Sequence, residues 1–252
     1  MRNFFQLVIL ICIATLCNAG SGEPHPNAEV LGKLVYSDIS IDVEQITAKE
    51  AIEKFKENLD ILMNVYWQTD EKKGLDPDAL ITLTLKNQPA LVILERILEQ
   101  IGDSQDATWQ LRHGVLDIGL KVPLALRTSY LESYPIQDLL FKIRNFTAPE
   151  LGTFNGDGRG GVEGTQTSTQ EEIDRIIELV VKFVDPELWE QNGGTCSITN
   201  YKKTLLIKAP DFVHRQIGGY SFEAQQPNEV RRRRVLYQGL HVEIIVDRIP
   251  LR

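Results

Sequence analysis

Residues 81–101, ITLTLKNQPALVILERILEQI, change from a hydrophobic period of two to the period of a helix. The first five residues alternate between apolar and polar side chains, which predicts a strand with one buried face. Pro89 suits the first turn of a helix, because its missing N–H costs no hydrogen bond there. The apolar residues that follow recur at helical spacing: Leu91, Leu94, Leu98 and Ile101. The stretch therefore predicts a strand followed directly by a helix with a buried stripe.

The same kind of pattern extends in both directions from this stretch. Upstream, residues 33–43 alternate like a strand, residues 47–50 form a capping box that starts a helix, and residues 61–67 are a further strand candidate. Downstream, residues 108–120 indicate a hairpin with a glycine in its turn. The predicted order is strand, helix, strand, strand, helix, strand, strand.

A second unit is predicted over residues 127–225. It contains a capped helix from residue 169, a hairpin at residues 195–208 and a helix that opens at Pro210. Residues 152–169 are rich in Gly, Thr and Ser with little to bury, which predicts a long mobile loop. The expected fold is α+β, with two small βαβ-type modules, each a short mixed sheet packed by helices on one side.

Residues 1–19 show the three parts of a secretory signal peptide. A positive start precedes the apolar residues 4–16, and small residues at 17–19 predict cleavage after Ala19. The apolar run is shorter than the ~20 residues of a spanning helix, with an uncleaved anchor as the alternative. The mature chain is expected to be exported, periplasmic or secreted, with no transmembrane segment after the signal and a flexible lead at residues 20–32.

The net charge and the cysteine content limit which partners, disulfides and metal sites are expected. The formal net charge of −8 argues against nucleic acid, because binding to nucleic acid depends on neutralising phosphates. Cys12 and Cys17 lie in the signal, so Cys196 remains alone and neither an internal disulfide nor a cysteine-rich zinc site is expected. A buried small residue in a strand is favoured for Cys196 over a link between two chains.

Five segments of the first unit form a recognisable set: residues 41–52, 64–65, 81–87, 91–98 and 116–118. With these segments and their element order, residues 33–122 resemble the secretin and TonB short amino-terminal domain. The second unit is similar to a secretin short repeat domain in Tyr134, residues 138–140, Trp189 with residues 193–194, residues 205–207, Pro210 and His214. The doubled glycine at residues 218–219 departs from the long leucine-bearing helix of that module.

The resemblance implies a periplasmic protein that packs against copies of itself or against other envelope proteins without doing chemistry. The large β-barrel of a secretin or a TonB-dependent receptor is not expected in a chain of this length, so the pore itself is not predicted. Shared fold is not shared function. A periplasmic module that binds a small molecule or a polysaccharide is therefore kept as the alternative, and a hydrolase is the third hypothesis.

No catalytic, cofactor or metal site is predicted. The four histidines are scattered and form no His-Glu-x-x-His helix. His113 is expected to be exposed beside a turn, and His214 to lie on a helix surface or at a cap. The acidic loop at residues 70–78 favours solvated carboxylates over a cation site. Four aromatic residues are interpreted as core or rim positions: Tyr66, Trp67, Trp109 and Trp189.

The arginine run in the basic C-terminal strand or hairpin, residues 226–252, is the sharpest local feature. Four cations stand in a row: Arg231, Arg232, Arg233 and Arg234. They either contact an acidic partner, an anionic envelope polymer or a lipid headgroup, or they guard the following edge strand against unwanted pairing. Both interpretations stay open. The leading hypothesis is a non-catalytic protein that assembles through sheet edges and this basic strand.

Overall fold

The computed structural model describes residues 25–101, 106–140, 169–227, 233–238 and 241–246. The fold is α+β, as predicted. The proposed signal peptide, residues 20–24 of the predicted lead and residues 152–168 of the loop predicted at residues 152–169 lie outside the described residues.

The described residues form six α-helices and ten strands. The helices are α1 Pro26–Tyr36, α2 Ala48–Glu57, α3 Ala90–Ile101, α4 Lys121–Thr128, α5 Thr169–Phe183 and α6 Asp211–Gly218. The strands are β1 Asp38–Thr47, β2 Leu62–Val65, β3 Leu80–Pro89, β4 Ala107–Arg112, β5 Val115–Leu120, β6 Tyr130–Pro135, β7 Ser197–Tyr201, β8 Thr204–Ala209, β9 Arg233–Gln238 and β10 His241–Val246. Within these ranges, no helix has the length and apolar character needed to cross a bilayer.

The first unit has two sheets rather than one. β1 pairs with β3, while β5 pairs in parallel with β2 and antiparallel with β4. α3 packs against strands of both sheets, so the helices lie between them. The prediction of one sheet with helices on one side is wrong because α3 is apolar on more than one stripe. Ile93 and Ile97 are as fully buried as Leu91 and Leu94, and they need cover on a second side.

The start of the first unit is also different from the prediction. Residues 26–36 form α1, so the flexible lead is wrong over residues 26–32 and the predicted strand is wrong over residues 33–36. The rest of that strand is confirmed, because β1 begins at Asp38. Pro26 occupies the first helical turn, and the His25 ring accepts a hydrogen bond from the Asn27 amide at 3.2 Å. Leu34 belongs to a buried helical face rather than to an alternating strand, and the helix closes one side of the first core.

The second unit is an antiparallel sheet in the order β6-β8-β7, with α5 and α6 on its inner face. The predicted hairpin is confirmed, and its two-residue turn at Lys202 and Lys203 has positive φ at both positions, the geometry of a tight hairpin. A mixed sheet was expected, but all its pairings are antiparallel. Trp189 and Phe212 are fully buried in the core.

The end of the described chain returns to the first unit. Residues 219–227 cross α1, where the Gln225 amide donates to the Ala28 carbonyl at 2.9 Å. Gly32 permits this crossing, since a Cβ there would lie 2.3 Å from the Gln225 carbonyl oxygen. β9 and β10 then form the hairpin that was one of the two predictions for this region, and Val235 and Ile244 pack on the first core. The two units are thus joined by more than one chain connection.

Candidate functional site

A cleft of about 450 Å³ lies where the two units meet. It is lined by β6 and α6 of the second unit, and by the start of α1 and the β4–β5 turn of the first unit. Residues 219–222, which lead from α6 back to α1, complete its wall. Side chains from distant parts of the sequence therefore converge here.

Aromatic rings line two walls of the cleft. Phe222 stacks between the His25 ring, at a centroid distance of 4.4 Å, and the Tyr220 ring, at 4.7 Å. Across the cleft, the Tyr130 ring lies 4.4 Å from the ring of His214. Rings packed against one another in this way give the cleft a defined shape before any ligand arrives.

His214 is a buried hydrogen-bonding residue, with 2 % of its surface exposed, so the prediction of a helix-surface or capping position is wrong. α6 packs against the core of the second unit on one side and against β4 on the other, so both of its sides are buried. Nε2 lies 3.2 Å from the carbonyl oxygen of Tyr130, and Nδ1 lies 2.9 Å from the Tyr134 hydroxyl. Burial lowers the pKa of His214, which favours the neutral ring at neutral pH.

The tautomer of His214 follows from its neighbours. A carbonyl oxygen only accepts, so Nε2 carries the proton and Nδ1 accepts from the Tyr134 hydroxyl. That hydroxyl also lies 3.2 Å from the Glu132 carboxylate, but its single proton cannot serve both acceptors. Both ring nitrogens thus hold α6 against β6.

The outer edge of β4 is closed by side chains of α6. Asp211 accepts hydrogen bonds from the Leu111 amide at 3.0 Å and from the Tyr220 hydroxyl at 2.7 Å. Arg215 donates to the Trp109 carbonyl, and its guanidinium lies 3.9 Å from the centre of the Trp109 ring. Burial raises the pKa of Asp211, and the charge of Arg215 opposes that rise. The Leu111 amide and the Trp109 carbonyl of this edge are therefore paired within the chain.

The outer edge of β6 is different. The amide of Ile136 donates to the Lys203 carbonyl at 3.0 Å, which fixes the register with β8. In an antiparallel ladder, backbone groups point to one side and to the other at alternate residues. Those of Leu131 and Ser133 consequently point away from β8, and in the described part of the chain β6 pairs with β8 alone. Leu131 has 66 % of its surface exposed. This edge is open.

The predicted arginine run is divided by the structure. Arg231 and Arg232 lie outside the described residues, and Arg234 is exposed on β9. Arg233 holds both carboxylate oxygens of Asp38 at 2.7 Å and donates to the Val35 carbonyl at 2.8 Å. The hydrogen bond to Asp38 raises the pKa of Arg233. This arginine secures the C-terminal hairpin to the first unit, and partner contact stays a prediction for the run.

The remaining histidine, tryptophan and cysteine predictions concern exposure and burial. His113 is exposed, as expected, and Trp109 and Trp189 are core residues. Cys196 is buried as expected, and burial raises its pKa to about 11. In the described ranges, no group of three or more His, Cys, Asp or Glu side chains lies close enough to hold a metal ion.

Sequence reasoning missed the cleft itself. Asp211 and Arg215 have the spacing of an ordinary helix pair, and nothing in the sequence connects them to β4, about 100 positions away. Comparisons with protein-family models, curated proteins and solved structures find no match to this chain. Function is therefore inferred from the open edge and the cleft beside it.

Proposed function

We propose that this protein is a non-catalytic assembly module of the bacterial envelope, exported through its amino-terminal signal, that docks other proteins or its own copies at a sheet edge. The observation that carries the proposal is the contrast between two edges. β4 is closed by Asp211 and Arg215, whereas β6 presents outward backbone groups that no described strand pairs, beside the exposed Leu131. An open edge is a template for pairing with another chain.

The first unit supports the assembly part of this proposal. The order of its elements from β1 to β5 is the order on which the resemblance to the secretin and TonB short amino-terminal domain rests. His214, which a hydrolase would use as a base, has both nitrogens engaged by Tyr134 and Tyr130. Its hydrogen-bond partners are a phenol hydroxyl and a backbone carbonyl, not the serine or cysteine nucleophile that a hydrolase base activates.

Site-specific photocrosslinking tests the proposal. A photoreactive side chain at Leu131 is expected to give a protein adduct in the envelope of the producing cell. The same side chain at Leu62 on β2 and at Leu179 on α5, which are 71 % and 49 % exposed, serves as the matched control. Equal adduct yields at the three positions would contradict docking at β6.

Export is tested on the same material. The protein recovered from the envelope is expected to begin at Gly20, because the predicted cleavage follows Ala19. Terminal mass spectrometry distinguishes this form from a chain that keeps its first residues. An intact amino terminus in the cytoplasmic fraction would remove the envelope from the proposal.

The aromatic lining of the cleft favours a second candidate, a small-molecule or polysaccharide binder. A volume of about 450 Å³ falls within the range of ligand sites, and polar groups converge on it. A binder of this class gives no adduct at Leu131. Its ligand raises the melting temperature of the wild-type protein, and Tyr130→Ala removes that rise.

A further inference from the structure

We propose that the occupant of the β6 edge is an extended peptide segment of a partner protein, which places a basic side chain in the cleft beside Glu132 and Tyr130. This inference rests on the proposed function, because it requires the edge to be a docking site. It adds the chemistry of the partner, and the cleft and the edge become one site.

The main chain of β6 determines where an added strand ends. The amide and carbonyl groups of Leu131 and Ser133 face outwards and can pair with an added strand. Pro135 is the next outward-facing residue and has no N–H to donate. The added ladder therefore ends at Pro135, and the edge accepts a short segment centred opposite Glu132.

The side chains of such a segment alternate between the two faces of the sheet. Tyr130, Glu132 and Tyr134 are on the inner face of β6, where α6 packs and where the cleft lies. A residue directly opposite Glu132 on the added strand points to the same face, with its Cβ about 5 Å from that of Glu132. The cleft therefore receives this one central side chain and its neighbours two residues away.

The negative charge of Glu132 determines which side chain is favoured at the centre of the added strand. The Glu132 side chain is 39 % exposed, and among the described residues its ion-pair neighbour is the His214 ring at 3.4 Å. That ring is neutral when Nδ1 accepts the Tyr134 proton, so the carboxylate keeps an uncompensated negative charge. The ring of Tyr130 lies on the same wall and is 44 % exposed. A lysine or arginine side chain at this point can form an ion pair with the Glu132 carboxylate and also contact the face of the Tyr130 ring.

Fluorescence anisotropy with synthetic peptides tests the inference on the mature protein. The probe is a labelled heptapeptide, Thr-Val-Thr-Lys-Thr-Val-Thr, with matched peptides that carry Glu or Ser at the centre. We expect roughly tenfold tighter binding of the Lys peptide than of the Glu peptide, from the cross-strand charge pair and the ring contact together. Glu132→Gln is expected to reduce this preference severalfold, whereas Glu44→Gln, at an exposed position of β1, leaves it unchanged.

N-methylated peptides test the strand geometry without altering the protein. Methylation of the third or fifth amide of the probe, which would face β6, is expected to abolish binding. Methylation of the second or sixth amide, which would face away, is expected to preserve it. Ser133→Pro removes an outward N–H of β6 and should weaken every peptide, with circular dichroism as the check that the variant is folded.

The outcomes separate the two proposals. Equal affinity for the Lys and Glu peptides, or equal effects of the two methylation patterns, overturns the peptide inference. If adducts at Leu131 persist in that case, docking at β6 survives. Concentration-dependent dimers that Ser133→Pro abolishes, with no peptide binding, would assign the edge to a second copy and overturn the peptide. Loss of both adducts and peptide binding removes both proposals.

Discussion

At the scale of single residues, the joint between the two units depends on a buried ion pair. Lys121, at the start of α4, binds the carboxylate of Asp185, and each side chain is 6 % exposed. Gln216 of α6 donates to the same carboxylate at 2.7 Å. A charge in this environment is stable only while its partner is present.

Replacement of Lys121 by methionine is expected to lower the free energy of unfolding by about 3–5 kcal/mol, because Asp185 would be left charged and buried. Urea unfolding measures the change. The double variant Lys121→Met, Asp185→Asn should recover a large part of the loss, since no unpaired charge remains and asparagine tolerates the left-handed backbone at position 185. A single Lys121→Met variant as stable as the wild type would show that water reaches Asp185.

His214 gives the protein a pH dependence with a definite sign. Burial lowers the pKa of the folded state below the ordinary value of 6.5, so the unfolded state binds the proton more readily. Stability is full above about pH 6.5 and falls as the pH decreases towards the folded pKa. The raised pKa of Asp211 has the opposite effect on stability as the pH falls. The contribution of His214 is therefore measured as the difference between the wild type and a His214 variant.

The expected result is that His214→Gln loses less stability than the wild type between pH 7 and pH 5.5. Denaturant unfolding at each pH gives the two curves. Parallel curves would mean that His214 titrates in the folded protein as it does in the unfolded one, and the neutral tautomer assigned to it would be wrong.

At the scale of elements, Gly32 is a position inside α1 where the backbone of another segment leaves no room for a side chain. Alanine favours a helix interior over glycine by about 1 kcal/mol, so Gly32→Ala would stabilise an isolated α1. In the folded chain its Cβ would meet the Gln225 carbonyl, and residues 219–227 would have to leave α1. We expect net destabilisation, with faster proteolytic cleavage in that segment. Glu29→Ala, on the exposed face of α1, is the control. Unchanged cleavage rates would show that the segment can shift without detaching.

The elements that sequence predicts well are those whose signal is local. In the strand and helix at residues 81–101 and in the helix from residue 169, the spacing of the apolar residues fits one type of element only. α1 was missed because Leu34 and Tyr36 satisfy a period of two as well as a helical face. The second sheet of the first unit was missed because the sequence does not show that strands cover α3 on two sides. The candidate site depends on pairs such as Leu111 and Asp211, for which one sequence contains no local signal.

At the scale of the whole molecule, the contacts between units predict a single unfolding transition. α6 is shared, since Phe212 belongs to the second core while Arg215 binds the Trp109 carbonyl of the first unit. The C-terminal hairpin is bound to the first unit through Arg233 and Asp38. Either unit would lose buried contacts if the other unfolded alone, and cooperative unfolding follows from such sharing.

Arg215→Met tests this coupling. Methionine keeps an apolar contact with the Trp109 ring but cannot donate to its carbonyl, which removes the hydrogen bonds and retains much of the packing. Calorimetry of the wild type is expected to give one transition with equal calorimetric and van't Hoff enthalpies. The variant should broaden or split it, because the two cores then unfold at different temperatures. Two transitions already present in the wild type would mean that the units fold independently, and the cleft between them would then be a hinge rather than a rigid site.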